Sequence, residues 1–470
     1  MKTTLERELK LDAAAGFELP DLPGTPLAGR VFTSTYYDTP SRSLGRSGIT
    51  LRRRVENRRS LWQLKLPRAD GARAELEAAG GASGLPSELA ALLVVHLRRG
   101  ALEPVASLRT RRAGIHVVDG KRSVAEVTVD DVDVLEGRRR VDGFTELEIE
   151  LVDEGADHDL ASLGRELRRA GAKRSEGRSK VRRVVPVAEP VAPTKRATLH
   201  EVLVYQLRRQ FEQLEARDPG VRLGGEPDDV HRFRVATRRS RALIRAVREQ
   251  AGPKLTSVAK ELGWLADLLG AVRDLDVLLA RLESGVATLD VDVAAGGSIL
   301  DTLRVEREAR RGDLLSALGS DRYLALLDAF ADAVESLPDT LEGDPRSPAE
   351  AELRRLERAA DEVASNPSDE ALHSLRIHAK RARYTAELAA LTGGKRLARY
   401  VEAVTKVQDV IGEHQDAVVA EERLRAVATP RSALAAGRLI GLERDRRRGV
   451  RARWAKTVDA ALDAGRAALR

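Results

Sequence analysis

The sequence predicts an α+β domain of antiparallel strands followed by an all-α domain of two duplicated helical bundles. Three observations carry this. Apolar and charged residues alternate with period two through residue 185, three prolines then interrupt the chain within eight residues, and a helical period runs from residue 195 to the end. At 470 residues the chain exceeds one ordinary core, in keeping with two or three domains.

The strand half contains Leu5-Glu6-Arg7-Glu8-Leu9-Lys10-Leu11, Leu51-Arg52-Arg53-Arg54-Val55, Leu61-Trp62-Gln63-Leu64-Lys65-Leu66 and Glu146-Leu147-Glu148-Ile149-Glu150-Leu151. Such runs, punctuated by Gly, Pro and Asp, form antiparallel strands. Helices are expected near 87–99 and 160–170. Pro186, Pro190 and Pro193 favour an extended spacer. The domains are therefore set at 1–185 and 195–470, with a linker at 186–194.

In the helical half, loops are expected at Asp218-Pro219-Gly220 and Asn366-Pro367-Ser368. An internal duplication carries Val230 to Arg241 onto Leu372 to Arg383 at an offset of 142 residues. The same offset pairs Leu269-Gly270 with Ile411-Gly412 and Asp274 with Asp416. Two related bundles, about 195–336 and 337–470, are the simplest arrangement.

Composition narrows the function. The 80 basic and 73 acidic residues leave a net charge of only +7, but they can segregate into strongly charged local sites that suit an anionic partner. Aromatics at 3% argue against the stacking platforms of a single-strand nucleic-acid binder. With no cysteine, neither disulfides nor thiolate metal sites exist, and any metal must be held by carboxylate or imidazole. The N-terminus has no signal-peptide pattern and no run of about 18 apolar residues occurs, so a soluble cytoplasmic protein without membrane contact is expected.

On the strands, charged residues share a face: Glu6 and Glu8 with Lys10, Arg52 with Arg54, Arg73 with Glu75 and Glu77, Arg109 with Arg111, Glu126 with Asp130, and Glu146 with Glu148 and Glu150. For one strand, a solvated outer face explains this well. Repetition over six strands favours a charged face turned inward. Neighbouring carboxylates repel unless a cation lies between them, and oxygen ligands suit Mg²⁺ or Mn²⁺. Arg and Lys opposite them would neutralise a polyanion. No Ser-His-Asp or Cys-His constellation is present, and His96, His116 and His158 fall outside the stripes as packing or surface residues.

Glu6-Arg7-Glu8-Leu9-Lys10 resembles the Glu-x-Glu-x-Lys signature of the CYTH family, the triphosphate tunnel metalloenzymes. Tyr36-Tyr37-Asp38-Thr39, Leu51 to Arg54, Leu64-Lys65-Leu66, Arg73-Ala74-Glu75 and Glu146 to Glu150 extend the resemblance over residues 1–185. It implies an eight-stranded tunnel. It also implies Glu6, Glu8, Asp130, Glu146, Glu148 and Glu150 as metal ligands, with Glu146, Glu148 and Glu150 not separable as direct ligands. Lys10, Arg52, Arg54, Lys65, Arg109, Arg111 and Lys180 become triphosphate ligands, Lys180 through a match of Ser179-Lys180 to a C-terminal Ser-Lys pair, flanked by Arg178 and Arg182. Glu6, Glu8 and Lys10 would form the catalytic core. Cations that neutralise the phosphate oxygens and the leaving diphosphate are what the reaction needs.

With about 100° per residue, His231, Arg234, Arg238, Arg241 and Arg245 fall within an arc of about 80°. His373, Arg376, Lys380 and Arg383 repeat it. A basic helix face is usually just solvated. The duplicated spacing and the scarcity of carboxylates four residues away argue for an anion instead. These segments, with Leu269 to Asp276 and Ile411 to Asp416, resemble the CHAD family over residues 195–470. That resemblance implies polyphosphate binding at His231, Arg234, Arg238, Arg241, His373, Arg376, Lys380 and Arg383, with His200 and His414 as weaker matches. Inorganic triphosphate and polyphosphate are thus the expected partners, nucleic acid is disfavoured, and polyphosphate granules are a natural location. Thiamine triphosphate is an alternative substrate, and a non-catalytic polyphosphate binder is the alternative function.

Overall fold

A computed structural model describes all residues except 69–70, 83, 153–154, 176–178, 225, 249–251, 290–291, 338–340, 342, 364–366 and 470. The chain forms two compact units, Met1–Glu189 with Glu215–Gly225, and Pro190–Leu214 with Glu226–Arg470.

In the first unit the strands are β1 (Lys2–Glu6), β2 (Glu8–Ala13), β3 (Gly24–Asp38), β4 (Thr50–Glu56), β5 (Arg59–Pro67), β6 (Arg73–Ala79), β7 (Glu103–Asp119), β8 (Arg122–Glu136), β9 (Arg139–Leu151) and β10 (Lys173–Arg174). They form one antiparallel sheet in the order β1-β6-β5-β4-β3-β7-β8-β9-β2-β10. Ten strands stand where eight were expected, because the first strand breaks at Arg7 and a short β10 pairs with β2. The hydrogen-bonded ladder is open, since β1 pairs with β6 while β2 pairs with β9. These two strands are separated only by Arg7, so the chain itself brings the two sides of the sheet together.

Helices α1 (Ser43–Arg46), α2 (Ser87–Leu92), α3 (Val94–Leu97), α4 (Asp157–Arg169) and α5 (Lys180–Val184) cover the sheet. The expected helix over 87–99 is thus two short ones. Leu51, Trp62, Leu64 and Leu76 on β4–β6 pack with Leu44, Leu89 and Leu93. Leu11, Val127, Leu147 and Ile149 pack with Leu163 and Leu167 of α4. Each fully buried Leu contributes about 2 kcal/mol, so the helices commit the apolar face outward. Strand alternation then leaves the charged residues on the other face. Leu5 is an exception on the apolar side, being 55% exposed.

Helices α6 (Leu199–Leu223), α7 (Pro227–Ala246), α8 (Gly252–Val286), α9 (Val293–Leu318), α10 (Asp321–Glu335), α11 (Ser347–Asp361), α12 (Asp369–Ala390), α13 (Lys395–Val427), α14 (Ala433–Arg451) and α15 (Trp454–Leu469) complete the chain. The loop expected at Asp218-Pro219-Gly220 is instead the last turn and a half of α6. Pro219 removes one helical N–H, and Arg222 Nε donates to Asp218 Oδ1 at 2.5 Å across that turn. Asn366 lies outside the described residues. Ser368 caps α12 by accepting from Ala371 N at 3.2 Å, and Pro227 with Asp228 and Asp229 opens α7.

Within the second unit α7 packs on α8, and α12 on α13. Leu375, Ala379, Ala382 and Ala386 of α12 are buried against Val404, Val407 and Ile411 of α13. On α7, Phe233, Ala236, Leu243 and Ile244 are buried. The opposite faces of α7 and α12 carry the cations.

Candidate phosphate-binding sites

The strand pairing fixes the chemistry of one wall in three rungs. Asp12 lies opposite Glu146, which lies opposite Asp130 and then Arg112. The next rung is Lys10, Glu148, Thr128 and Gly114, followed by Glu8, Glu150, Glu126 and His116. On the other wall Glu6 faces Arg73, Lys65 lies between Glu75 and Thr50, and Arg52 lies between Gln63 and Tyr36. A cavity of about 240 Å³ lies between the walls, lined by Glu6, Glu8, Lys10, Arg52, Arg54, Lys65, Glu148, Glu150 and Lys180.

Its charges are interlocked. Lys65 Nζ donates to both oxygens of Glu6 at 2.6 Å. Lys10 Nζ is 2.9 Å from Glu8 and also meets Glu148. Lys180 Nζ lies 2.9 Å from Asp130, 2.8 Å from Glu146 and 2.6 Å from Glu148. Burial pushes the Glu148 carboxyl up, but Lys10, Lys180 and Arg112 outweigh it and hold the group well below its usual range. In Glu8 burial is likewise overcome, chiefly by Lys10. Burial wins at Glu6 and Glu146, which are raised. Glu150 is pushed up to about 7 by burial and then by Glu6. Arg54 is lowered to about 10 by burial and by Arg52, while its guanidinium rests 3.7 Å from the centre of the Phe32 ring.

Two groups of expected residues stand elsewhere. Arg109 and Arg111 are on the opposite face of β7, exposed, with Arg111 donating to Asp133 at 2.8 Å. The cavity receives Arg112 instead, whose Nε donates to Asp130 at 2.7 Å. A single-residue change of parity exchanges the faces. Asp130 and Glu146 share the inward face but are fully buried behind Lys180, and neither lines the cavity. Arg178 lies outside the described residues.

Other lining residues carried weaker signals. Glu75, Glu77, Arg73 and Glu126 belong to the charged stripes but had no assigned role, and nothing in the sequence marked Arg30 or Arg112. His96 is a packing residue: it is buried, Ser43 Oγ lies 2.8 Å from its Nδ1, and burial lowers its pKa to about 3.

Metal ligation can be tested on the donor set. Glu6, Glu8, Glu75, Glu126, Glu148 and Glu150 supply hard oxygen donors at one cavity, and Glu75 Oε1 is buried without a hydrogen-bond partner. Crowded carboxylates, two of them raised in pKa, fit a divalent cation chemically. Among the described residues no three His, Asp or Glu already converge as ligands; lysine ammonium groups occupy the carboxylates.

In the helical unit, α7, α8 and α12 surround a second cavity of about 520 Å³, lined by Arg238, Arg241, Arg245, Lys260, Lys380 and Arg381 among others. Among the described residues none of these six makes an ion pair within 4 Å, whereas Arg239 and Arg383 share Glu387 at 3.2 and 3.4 Å. Lys380 is lowered to about 7 by burial and then by Arg376, Arg238 and Arg234, which places the four cations of the two helices together. His231 is half-buried and lowered by burial and Arg273, while His373 is exposed. His414 is fully buried, its Nε2 3.3 Å from Asp369, which also binds Arg447 and Arg451. His200 lies on α6.

A strand domain with a charged cavity and a helical domain with a cationic cavity define a protein of two charged modules. The chain belongs to the CYTH and CHAD families: residues 4–185 match the CYTH domain and residues 205–425 the CHAD domain. CYTH proteins form the triphosphate tunnel metalloenzyme superfamily, whose members bind triphosphates and depend on metal. An uncharacterized protein of Mycobacterium tuberculosis, Rv2226, is 33% identical over 458 residues, covering 89% of this chain and 88% of that protein. Among solved structures, the CHAD domain from the plant Ricinus communis is 26% identical at a TM-score of 0.46, covering 61% of this chain and 96% of its own. PptA from Streptomyces chartreusis is 21% identical at a TM-score of 0.47, covering 56% and 99%. No helix among the described residues is long and apolar enough to cross a membrane.

Proposed function

We propose that the chain hydrolyses inorganic triphosphate to diphosphate and phosphate in the strand domain, with a divalent metal, Mg²⁺ or Mn²⁺, as cofactor, and holds polyphosphate on the helical domain. Catalysis then belongs to residues 1–185 and capture to residues 195–470, built from repeats at about 195–336 and 337–470 and joined through the linker at 186–194. The observation that carries this reading is the cavity in which a carboxylate wall meets Arg52, Arg54, Lys65 and Arg112. A binder needs only the cations; the carboxylates add cost unless they hold a metal.

Glu6, Glu8, Glu148 and Glu150 are the proposed metal ligands. A divalent ion there supplies charge neutralisation at phosphate oxygens and lowers the pKa of water. Arg52, Arg54, Lys65 and Arg112 bind and orient the phosphates. Lys10 and Lys180 keep Glu148 ionised. Phosphate release from triphosphate, ATP, thiamine triphosphate and long polyphosphate, each with Mg²⁺, tests the substrate. Triphosphate should be preferred, and Glu8→Ala should abolish release; retained activity in that variant overturns the metal assignment.

The lysines seated on the carboxylates favour a second reading, a cavity that binds phosphate chains without turnover. An inactive wild type that still binds triphosphate would establish it.

A further inference from the structure

The cationic faces of α7 and α12 stand near two carboxylates that anion binding does not require, Asp274 of α8 and Asp416 of α13. Arg234 lies across α8 at Gly270, where an added Cβ would stand 3.5 Å from its Nε, and its Nη2 is 3.3 Å from Asp274 Oδ1. The arginine–glycine contact recurs on α12 and α13, without an ion pair within 4 Å among the described residues. Arg376 lies across Gly412, with its Nε 3.5 Å from the corresponding position, and Asp416 follows Gly412 by one turn as Asp274 follows Gly270. Both Nε atoms are buried and without an acceptor. Asp416 feels the charge of Asp274 as well as of Arg376 and Lys380.

Ordinary structural ion pairing explains this poorly. The Arg234–Asp274 pair is a single contact at 3.3 Å, with the aspartate side chain 64% exposed, and such pairs contribute little to stability. Where an arginine in this unit serves as a strut, the contact is fuller: Arg322 meets Glu261 through two nitrogens at 2.7 and 3.3 Å. At Arg234 and Arg376 a buried donor, Nε, is left unused. Burial also raises the Asp416 carboxyl, so holding it ionised there is unfavourable without a bound cation or the arginine.

We propose that Asp274 and Asp416 are internal counter-anions of the polyphosphate site: a phosphate chain must displace Asp274 from Arg234 and overcome the nearby charge of Asp416 at Arg376. The inference rests on the reading of this face as a polyphosphate site. A lone phosphate engages one half and meets the repulsion of the adjacent carboxylate. A chain engages the second half intramolecularly once the first is bound, and this offsets both repulsions. The aspartates therefore set a threshold, leaving the site empty of orthophosphate and open to chains.

The test is titration calorimetry of the full chain with orthophosphate and with long-chain polyphosphate, in EDTA and in Mg²⁺, at fixed ionic strength. Asp274→Asn and Asp416→Asn should each tighten polyphosphate binding by about threefold to tenfold in EDTA, and the double variant should bind orthophosphate measurably. Asp274 is exposed, so its isosteric variant keeps the fold and carries the test alone if Asp416→Asn is unstable. Unchanged or weaker polyphosphate binding in Asp274→Asn overturns the proposal. Weakening confined to Mg²⁺ also overturns it, by making the aspartates ligands of a bridging cation. If the wild type binds no polyphosphate, the polyphosphate reading itself falls. If it binds and Asp274→Asn matches it, only the counter-anion role falls.

Discussion

Lys65 of β5 and Glu6 of β1 form a two-pronged ion pair at 2.6 Å, and no direct strand pairing joins β1 to β5. Glu6 is only 6% exposed and its carboxyl is raised by burial, against which Lys65 acts. Lys65→Met should therefore destabilise the metal-free protein by about 3 kcal/mol, because it leaves a buried carboxylate beside Glu8 and Glu75. Thermal melts with and without MgCl₂ check this. The deficit should shrink when the metal replaces the missing ammonium.

The two arginines of β7 make a paired prediction. Arg112→Met removes a cavity cation and should lower triphosphate hydrolysis by about 100-fold, whereas Arg111→Met, on the outer face, should stay within about twofold of the wild type. Because Arg112 also binds fully buried Asp130, its variant should melt earlier, and activity is to be compared below both transitions. Equal losses in the two variants would contradict the parity seen here.

Much of this site was legible because strand alternation places Glu6, Glu8, Lys10, Arg52, Arg54, Lys65, Glu148 and Glu150 on one face, and the cavity collects that face. Arg112 was not legible. In Arg109-Thr110-Arg111-Arg112 both parities carry arginine, and only pairing with Asp130 selects one. Depth was equally hidden: Glu146 and Glu148 alternate identically, but Lys180 closes over the first. At Pro219 the local signal for a loop was outweighed by helix continuity on both sides. In the helical half the duplicated His-Arg spacing was visible, but the cavity's Lys260 and Arg381 come from another helix and from off the stripe.

Polyphosphate binding should depend on pH through Lys380. Its pKa falls to about 7 in the folded protein, below its unfolded value, through burial and then Arg376, Arg238 and Arg234. The ligand-free protein thus carries a penalty that is full below pH 7 and is relieved as pH rises from 7 towards the unfolded pKa. A bound polyanion raises this pKa, so binding at pH 8 should take up a proton and should weaken as pH rises from 6 to 8. Calorimetry in buffers of different ionisation enthalpy measures the uptake. Lys380→Met should abolish Lys380's share of it while weakening binding at pH 6.

The glycines beneath Arg234 and Arg376 separate stability from binding. A Cβ at Gly412 would lie 3.0 Å from Arg376 Nη2, against 3.5 Å from the nearest Arg234 nitrogen at Gly270. The crowded atom is the end of a flexible side chain, so it can swing aside without disturbing the helix. Alanine for glycine inside α13 also favours the helix by up to about 1 kcal/mol. Gly412→Ala should therefore be as stable as the wild type or more so, yet bind polyphosphate about threefold to tenfold more weakly, because the guanidinium leaves its place. Gly270→Ala, at ordinary contact distance, should gain similar stability with a smaller loss of binding. A loss of stability without loss of binding would mean that the glycines serve helix packing and not the placement of the arginines.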